Sequence, residues 1–243
     1  MKTIMVGVLS VFTLSAMAQE KTYKTTTSKW DKMKANMPVM TRGIGLTFVD
    51  FNRLNNRIDG FPQYNPLKSH IWTLSAGTMH VQNNFISQMT VTGGSSLSGN
   101  PDKKSSTLRT IGGGIDFGYD VIPSKSVMVY PLVGVGAETY RAVYFKDVNP
   151  VDFDDVANSP TLQNSIRKVK FNNSFFTYRL GLGVAFNSPK DHGSIGIQAG
   201  YVAGFQEERW RSAEYQNLDN SPKDGLHRFN VSLVFTGGKM MGR

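Results

Sequence analysis

The chain has 243 residues and carries 27 Lys and Arg against 18 Asp and Glu, for a formal net charge of +9. It contains no cysteine, which excludes disulfide staples, a lipid-bearing cysteine and cysteine-based metal or nucleophile sites. The cations are scattered and no basic face carries interleaved aromatics, so the charge balance does not point to nucleic acid.

Residues 1–18 read as an export signal. Lys2 gives the positive start, Ile4 to Leu14 the apolar run, and Ala16-Met17-Ala18 the small-x-small cleavage pattern before Gln19. The run is about half the ~20 residues of a spanning helix, and no other stretch approaches that length. Residues 19–42 form a basic leader with six Lys or Arg against Glu20 and Asp31. Trp30, Met33 and Met37 recur there at helical spacing. A short amphipathic surface helix would need more apolar surface than this thin stripe and Pro38 allow, so a flexible periplasmic leader is the better reading.

From Gly43 on, the chain alternates with period two, the mark of strands with two unlike faces. The first strand is expected over Gly43–Phe51, followed by a long polar stretch. The second, His70–Val81, and the third, Phe85–Val91, are joined tightly. A second long loop, 93–107, leads to the cleanest hairpin. In its first arm Ile111, Gly113, Ile115, Phe117, Tyr119 and Val121 share one face, against Gly112, Gly114, Asp116, Gly118 and Asp120. In its second arm Val129, Pro131, Val133, Val135 and Ala137 oppose Gly134, Gly136 and Glu138. Pro131 is a defect in a strand, tolerated near a strand start or at a bulge. After a loop over 146–173 comes a sixth strand, Phe176 to Phe186, with even positions apolar and Arg179 and glycines between. The connection through His192 is short. The seventh strand, Ile195 to Phe205, and the eighth, Arg228 to Phe235, are separated by a polar loop over 206–225.

Eight strands joined by alternating long and short connections put four long loops at one end, with three tight turns and both termini at the other. A closed barrel needs no second layer to cover its apolar face if that face meets lipid. Phe176, Tyr178, Tyr201, Phe205 and Phe229 fall near the long-loop end of the apolar face, and Phe117, Tyr119, Phe186 and Phe235 near the tight-turn end. Two aromatic belts with aliphatics between them fit two membrane interfaces.

The opposite face lines a narrow interior, where charges must pair. Asp116 and Arg179 descend toward tight turns at similar depth on strands flanking Gly134 and Gly136, so they are expected to form an ion pair. Glu138 and Arg228 join the network nearer the loops. The network serves as a structural plug or as a narrow proton or ion path, and the plug is favoured because such interiors need paired charges in any case.

In this pattern the chain resembles the small eight-stranded bacterial outer-membrane barrels, the OmpX-like and OmpA-transmembrane-domain-like group, over roughly residues 43–236. The final Phe229-x-Val231-x-Leu233-x-Phe235 is similar to the signal that barrel assembly machinery reads in that family, although here a short tail, 237–243, follows. The resemblance implies an outer-membrane location, outer-membrane lipid and the assembly machinery as partners, and long extracellular loops that could meet a surface or periplasmic protein.

Other chemistry is weakly supported. Of the four histidines, His80 nears a tight turn and His192 lies in one; His70 and His227 near the loop end lack a same-face nucleophile. Asp152, Asp154 and Asp155 lack the glycine and terminal glutamate of a calcium loop. Gly112-Gly113-Gly114 lacks the Lys-Ser/Thr of a phosphate loop. No catalytic, metal or cofactor residue is assigned. The expectation is therefore an all-β transmembrane barrel with a filled polar lumen and a structural or surface-interaction role. The rivals are a barrel enzyme on lipid or peptide, an accessory barrel of a secretion system, and a soluble lipocalin-like barrel with its apolar face inward.

Overall fold

The computed structural model describes residues 38–122, 124, 126–147, 152–161, 168–187 and 193–237. The export signal, most of the basic leader, His192 and the tail from 238 lie outside the described residues. Eight long strands follow one another: β1 (Val39–Val49), β2 (His70–Gln82), β3 (Phe85–Ser95), β4 (Ser105–Tyr119), β5 (Val127–Phe145), β6 (Val169–Asn187), β7 (Ser194–Gly204) and β11 (His227–Gly237). Each pairs antiparallel with the next, and β11 returns to β1 from Met40↔Gly237 to Val49↔Arg228, closing the cylinder. In the loops the described residues include the two-residue strands β8 (Glu208–Arg209), β9 (Arg211–Ser212) and β10 (Lys223–Asp224) and the short helices α1 (Asn52–Asp59) and α2 (Phe153–Asn158).

The alternation in the sequence sets the inside and outside of the wall. Ile115, Leu180 and Val231 are exposed, whereas Asp116 is buried. A lipocalin-type arrangement, with the apolar face toward the axis, is thereby overturned. Every aromatic assigned to the two belts is on the outward face, and Phe48 and Trp72 at the loop end and Phe85 at the turn end extend them. Phe85 stacks on Phe117 at 6.0 Å, and Tyr178 packs on Phe205 at 5.5 Å.

Two local features carry their reasons in the residues. The β2–β3 hairpin closes through Asn83-Asn84, both with positive φ (51° and 68°). This is the backbone of a primed two-residue turn, and Asn adopts it more readily than most residues. Pro131 sits one residue beyond the end of the β4–β5 ladder at Gly118↔Leu132. There the Asp120 carboxylate takes over, accepting the Val129 N–H at 3.1 Å and the Ile122 N–H at 3.2 Å.

Three expectations need correcting. The first strand begins at Val39, not Gly43, and ends at Val49, so Phe51 leaves the wall and is buried. β5 and β6 are 19 residues each, against 15 in β4 and 11 in β7, so their hairpin projects past its neighbours and shortens the loop expected over 146–173. The interior is also not uniformly small and polar. It is layered, with an apolar cluster at each end of a polar middle. Period two separates in from out but carries no information about which loop residues fold back into the mouth.

Candidate functional site: a plugged interior and a capped mouth

The polar middle is built from charges seated against glycines. Asp116 on β4 faces Gly134 on β5, and a side chain at 134 would collide with the Asp116 carboxylate. Arg179 from β6 crosses over Gly114, whose absent Cβ would meet its guanidinium. The two charges meet with Nη1 3.1 Å from Oδ2. Closer to the loops, Gly112 clears the way for Glu138, with a Cβ there only 2.7 Å from the Glu138 Cγ. Arg228 grips Glu138 side-on, along one edge of its guanidinium, Nε donating to Oε2 at 2.9 Å and Nη2 to Oε1. The Tyr140 hydroxyl donates to the same Oε2 at 2.8 Å. Both side chains of this second pair are more than nine-tenths buried. The structure therefore brings together all four charges placed inside by the sequence, as two pairs.

A third polar unit has no charge. Gln198 on β7 donates to Gln88 on β3 at 3.1 Å and to the Tyr130 hydroxyl at 2.9 Å, tying opposite walls together. Among these groups lies a cavity of ≈ 40 Å³ lined by Thr47, Thr73, Gln88, Arg179 and Arg228 among others, room for water but not for a solute. Met79, Ile86, Tyr130 and Ala185 fill the tight-turn end.

The loop end is closed by the larger apolar cluster, which includes Phe51, Leu54, Ile58, Ile71, Leu108, Tyr140, Tyr144, Phe175, Trp210 and Leu226. Phe51 is its hub, with edge contacts to Tyr140 and Trp210 at 5.1 Å each and a stack on Phe175 at 6.2 Å. Helix α1 lies over it with Leu54 and Ile58 down. Its first residue is preceded by Phe51, which has no side-chain oxygen to cap the free N–H groups. Asp224, 170 residues away, supplies that cap. Its Oδ1 accepts from the Arg53 N–H at 3.0 Å, and its Oδ2 accepts from the Leu54 N–H at 3.1 Å and the Trp210 indole at 2.7 Å. Outside, Arg53 forms a two-pronged bond to Glu207 at 2.6 and 2.9 Å. That guanidinium, bonded to and charged beside it, holds the Glu207 carboxyl below its usual range.

The loops over 53–69 and 206–225 were expected to reach outward. They instead contribute Leu54, Ile58, Leu67, Trp210 and Asp224 to a lid on the barrel. Trp210 inside a polar loop was the one available signal, since a lone tryptophan among charges seldom stays in water. Asp152 accepts the Asp154 N–H at 2.8 Å and so caps α2, a structural use of that acidic run. His70 shares the outward face of β2 with Trp72, and His227 on the outer wall bonds the Tyr201 hydroxyl through Nδ1 at 2.7 Å. Among the described residues no group of three His, Asp or Glu side chains could hold a metal ion.

These features define a class: a closed, eight-stranded, up-and-down antiparallel barrel with an apolar exterior and a plugged interior. No protein-family model and no curated protein sequence matches the chain. Among solved structures it is similar to a major outer membrane protein from Thermus thermophilus, at 10% identity and a TM-score of 0.48, over 82% of this chain and 98% of that one. It is also similar to Ail, the attachment invasion locus protein of Yersinia pestis, at 10% identity and a TM-score of 0.44, over 82% and 96%. Neisserial surface protein A is similar at 10% identity and a TM-score of 0.44, over 83% and 97%.

Proposed function

We propose that this chain is an integral outer-membrane barrel that conducts no solute and works through its capped, loop-bearing end, in a structural or surface-interaction role. The observation that supports this most directly is the outer wall. Between the belts, the outward positions of all eight long strands hold apolar residues, Gly, Pro, Ser, Thr and Tyr, and no Asp, Glu, Lys or Arg. Phe176 and Phe186 lie ten residues apart on β6. At ~3.3 Å per residue and a tilt of ~40°, that is roughly 25 Å along the axis, the height of the apolar band of outer-membrane barrels. Such a wall in water would be a single large apolar patch.

The paired interior charges serve as a plug in this reading. Two ion pairs and the Gln88–Gln198–Tyr130 bridge hold the strands in register, and the apolar clusters above and below exclude a continuous water path. The protein should resist carbonate extraction, migrate anomalously on gels until heated, and give no steady current in planar bilayers, with or without Asp116→Asn. Carbonate-soluble protein would refute the membrane assignment. A unitary conductance changed by D116N would refute the plug and favour an ion path.

A further inference from the structure

The outer wall carries one feature that the membrane reading does not use. Just above the band on the loop side, Arg109 of β4 and Arg141 of β5 are direct register partners. Partners across antiparallel strands project from the same face, and like charges directly opposite destabilise a sheet. Both arginines are exposed, and neither is ion-paired among the described residues. The row continues to Asn172 of β6 and Arg211 of β9. Asn172 is fully buried; its Oδ1 accepts from the Arg141 Nε at 2.8 Å, while its Nδ2 donates to the Ser212 and Ala213 carbonyls at 3.1 and 3.0 Å. The Arg141 Nε is thus anchored on the β6 side of its strand, while the residue stays exposed in the same row as Arg109.

Below the arginines the wall is dented. The next row holds Ile111 and Thr139, the latter bonded to Ser174 at 2.9 Å. The row after that holds Gly113 and Ala137, two small residues side by side between Val91 of β3 and Phe176 of β6. They floor an apolar groove of ≈ 380 Å³ walled by Met89, Val91, Ile115, Val135, Phe176 and Phe205. From Arg109 to Gly113 is four residues, roughly 13 Å along the strand.

We propose that this face holds a phosphorylated lipid of the leaflet at the long-loop end, its phosphate between Arg109 and Arg141 and one acyl chain in the Gly113–Ala137 groove. An anion between the guanidinium groups turns their repulsion into two charge-assisted contacts, and phosphate accepts the paired donors of an arginine fork. The groove runs toward the bilayer centre from that point, as the chain of such a lipid must. The proposal rests on the outer-membrane reading, which supplies the lipid.

The test is native mass spectrometry of the detergent-released barrel after titration with phosphatidylglycerol or phosphatidylcholine of identical chains. Wild type should retain phosphatidylglycerol roughly tenfold better or more, from two arginines at the headgroup level. R109Q/R141Q should lose that preference, and A137L, which fills the groove, should weaken retention of both lipids. Heat-modifiable migration of each variant shows that the barrel is intact. If intact R109Q/R141Q keeps the preference, or A137L retains both lipids as wild type does, the lipid site is wrong and the membrane assignment stands. If wild-type protein fails to enter bilayers at all, both fall together.

Discussion

Asp116 and Gly134 face each other across the β4–β5 ladder, and the volume that a side chain at 134 would fill is the volume the Asp116 carboxylate occupies. The same exchange recurs for Gly112 with Glu138 and for Gly114 with Arg179. A narrow barrel cannot hold a large residue at every inward position, so the glycines are the counterpart of the charges. Neither set is intelligible without the other.

Gly134→Ala should therefore be costly although it adds a single methyl. The new Cβ would sit 2.9 Å from the Asp116 Cα and closer still to its carboxylate, so the ion pair must shift or the wall must bulge. An overpacking cost of about 1–3 kcal/mol is expected. The midpoint of urea unfolding, followed by gel mobility in detergent, measures it. A midpoint equal to wild type would show that the carboxylate has somewhere else to go.

Glu138 and Arg228 make the opposite experiment. With both side chains nearly inaccessible, removing one leaves the other charged and unpaired. R228M should destabilise by about 3–5 kcal/mol, whereas E138M/R228M should recover most of that loss. If the double variant is as unstable as the single, the pair does more than neutralise itself. Urea midpoints of the four proteins in one cycle decide this.

Much of this was legible in the chain and part was not. Strand count, closure, belts and the identity of the interior charges follow from period two and the rhythm of the connections, because an apolar outer wall and a narrow space inside impose unlike chemistry on alternate residues. Asp116 and Arg179 could be paired by counting from the tight turns. The lid could not be found in that way. Phe51 reads as the end of the first strand, Trp210 and Asp224 lie 14 residues apart in one polar loop, and nothing in the alternation brings the two segments together. Their meeting is a product of closure, and the helix cap offered by Asp224 spans 170 residues.

Asp224→Ala tests whether the lid is a unit. It strips the acceptor from the Arg53 and Leu54 amides and the Trp210 indole, groups otherwise buried or half-buried. Unsatisfied donors of this kind cost about 1–3 kcal/mol each. The loss should fall on the lid alone: protease cleavage within residues 52–69 should accelerate and Trp210 emission should shift to the red, while heat-modifiable migration persists. Loss of that migration would mean that lid and wall fold together.

The Arg53–Glu207 bond outside the lid should instead show itself through pH. Arg53 depresses the Glu207 carboxyl, so the bond contributes while Glu207 is ionised. That contribution is complete above the unfolded glutamate value of ~4.3 and is lost as pH falls through the lower folded value. Both groups are solvent-exposed, so the effect is small and weakened by salt. E207Q should be slightly more susceptible than wild type to protease in the α1 segment at neutral pH, and the two should converge only as pH falls below the depressed folded Glu207 value. A gap between the two proteins that widens on acidification would have the wrong sign and would remove this bond from the account of the lid.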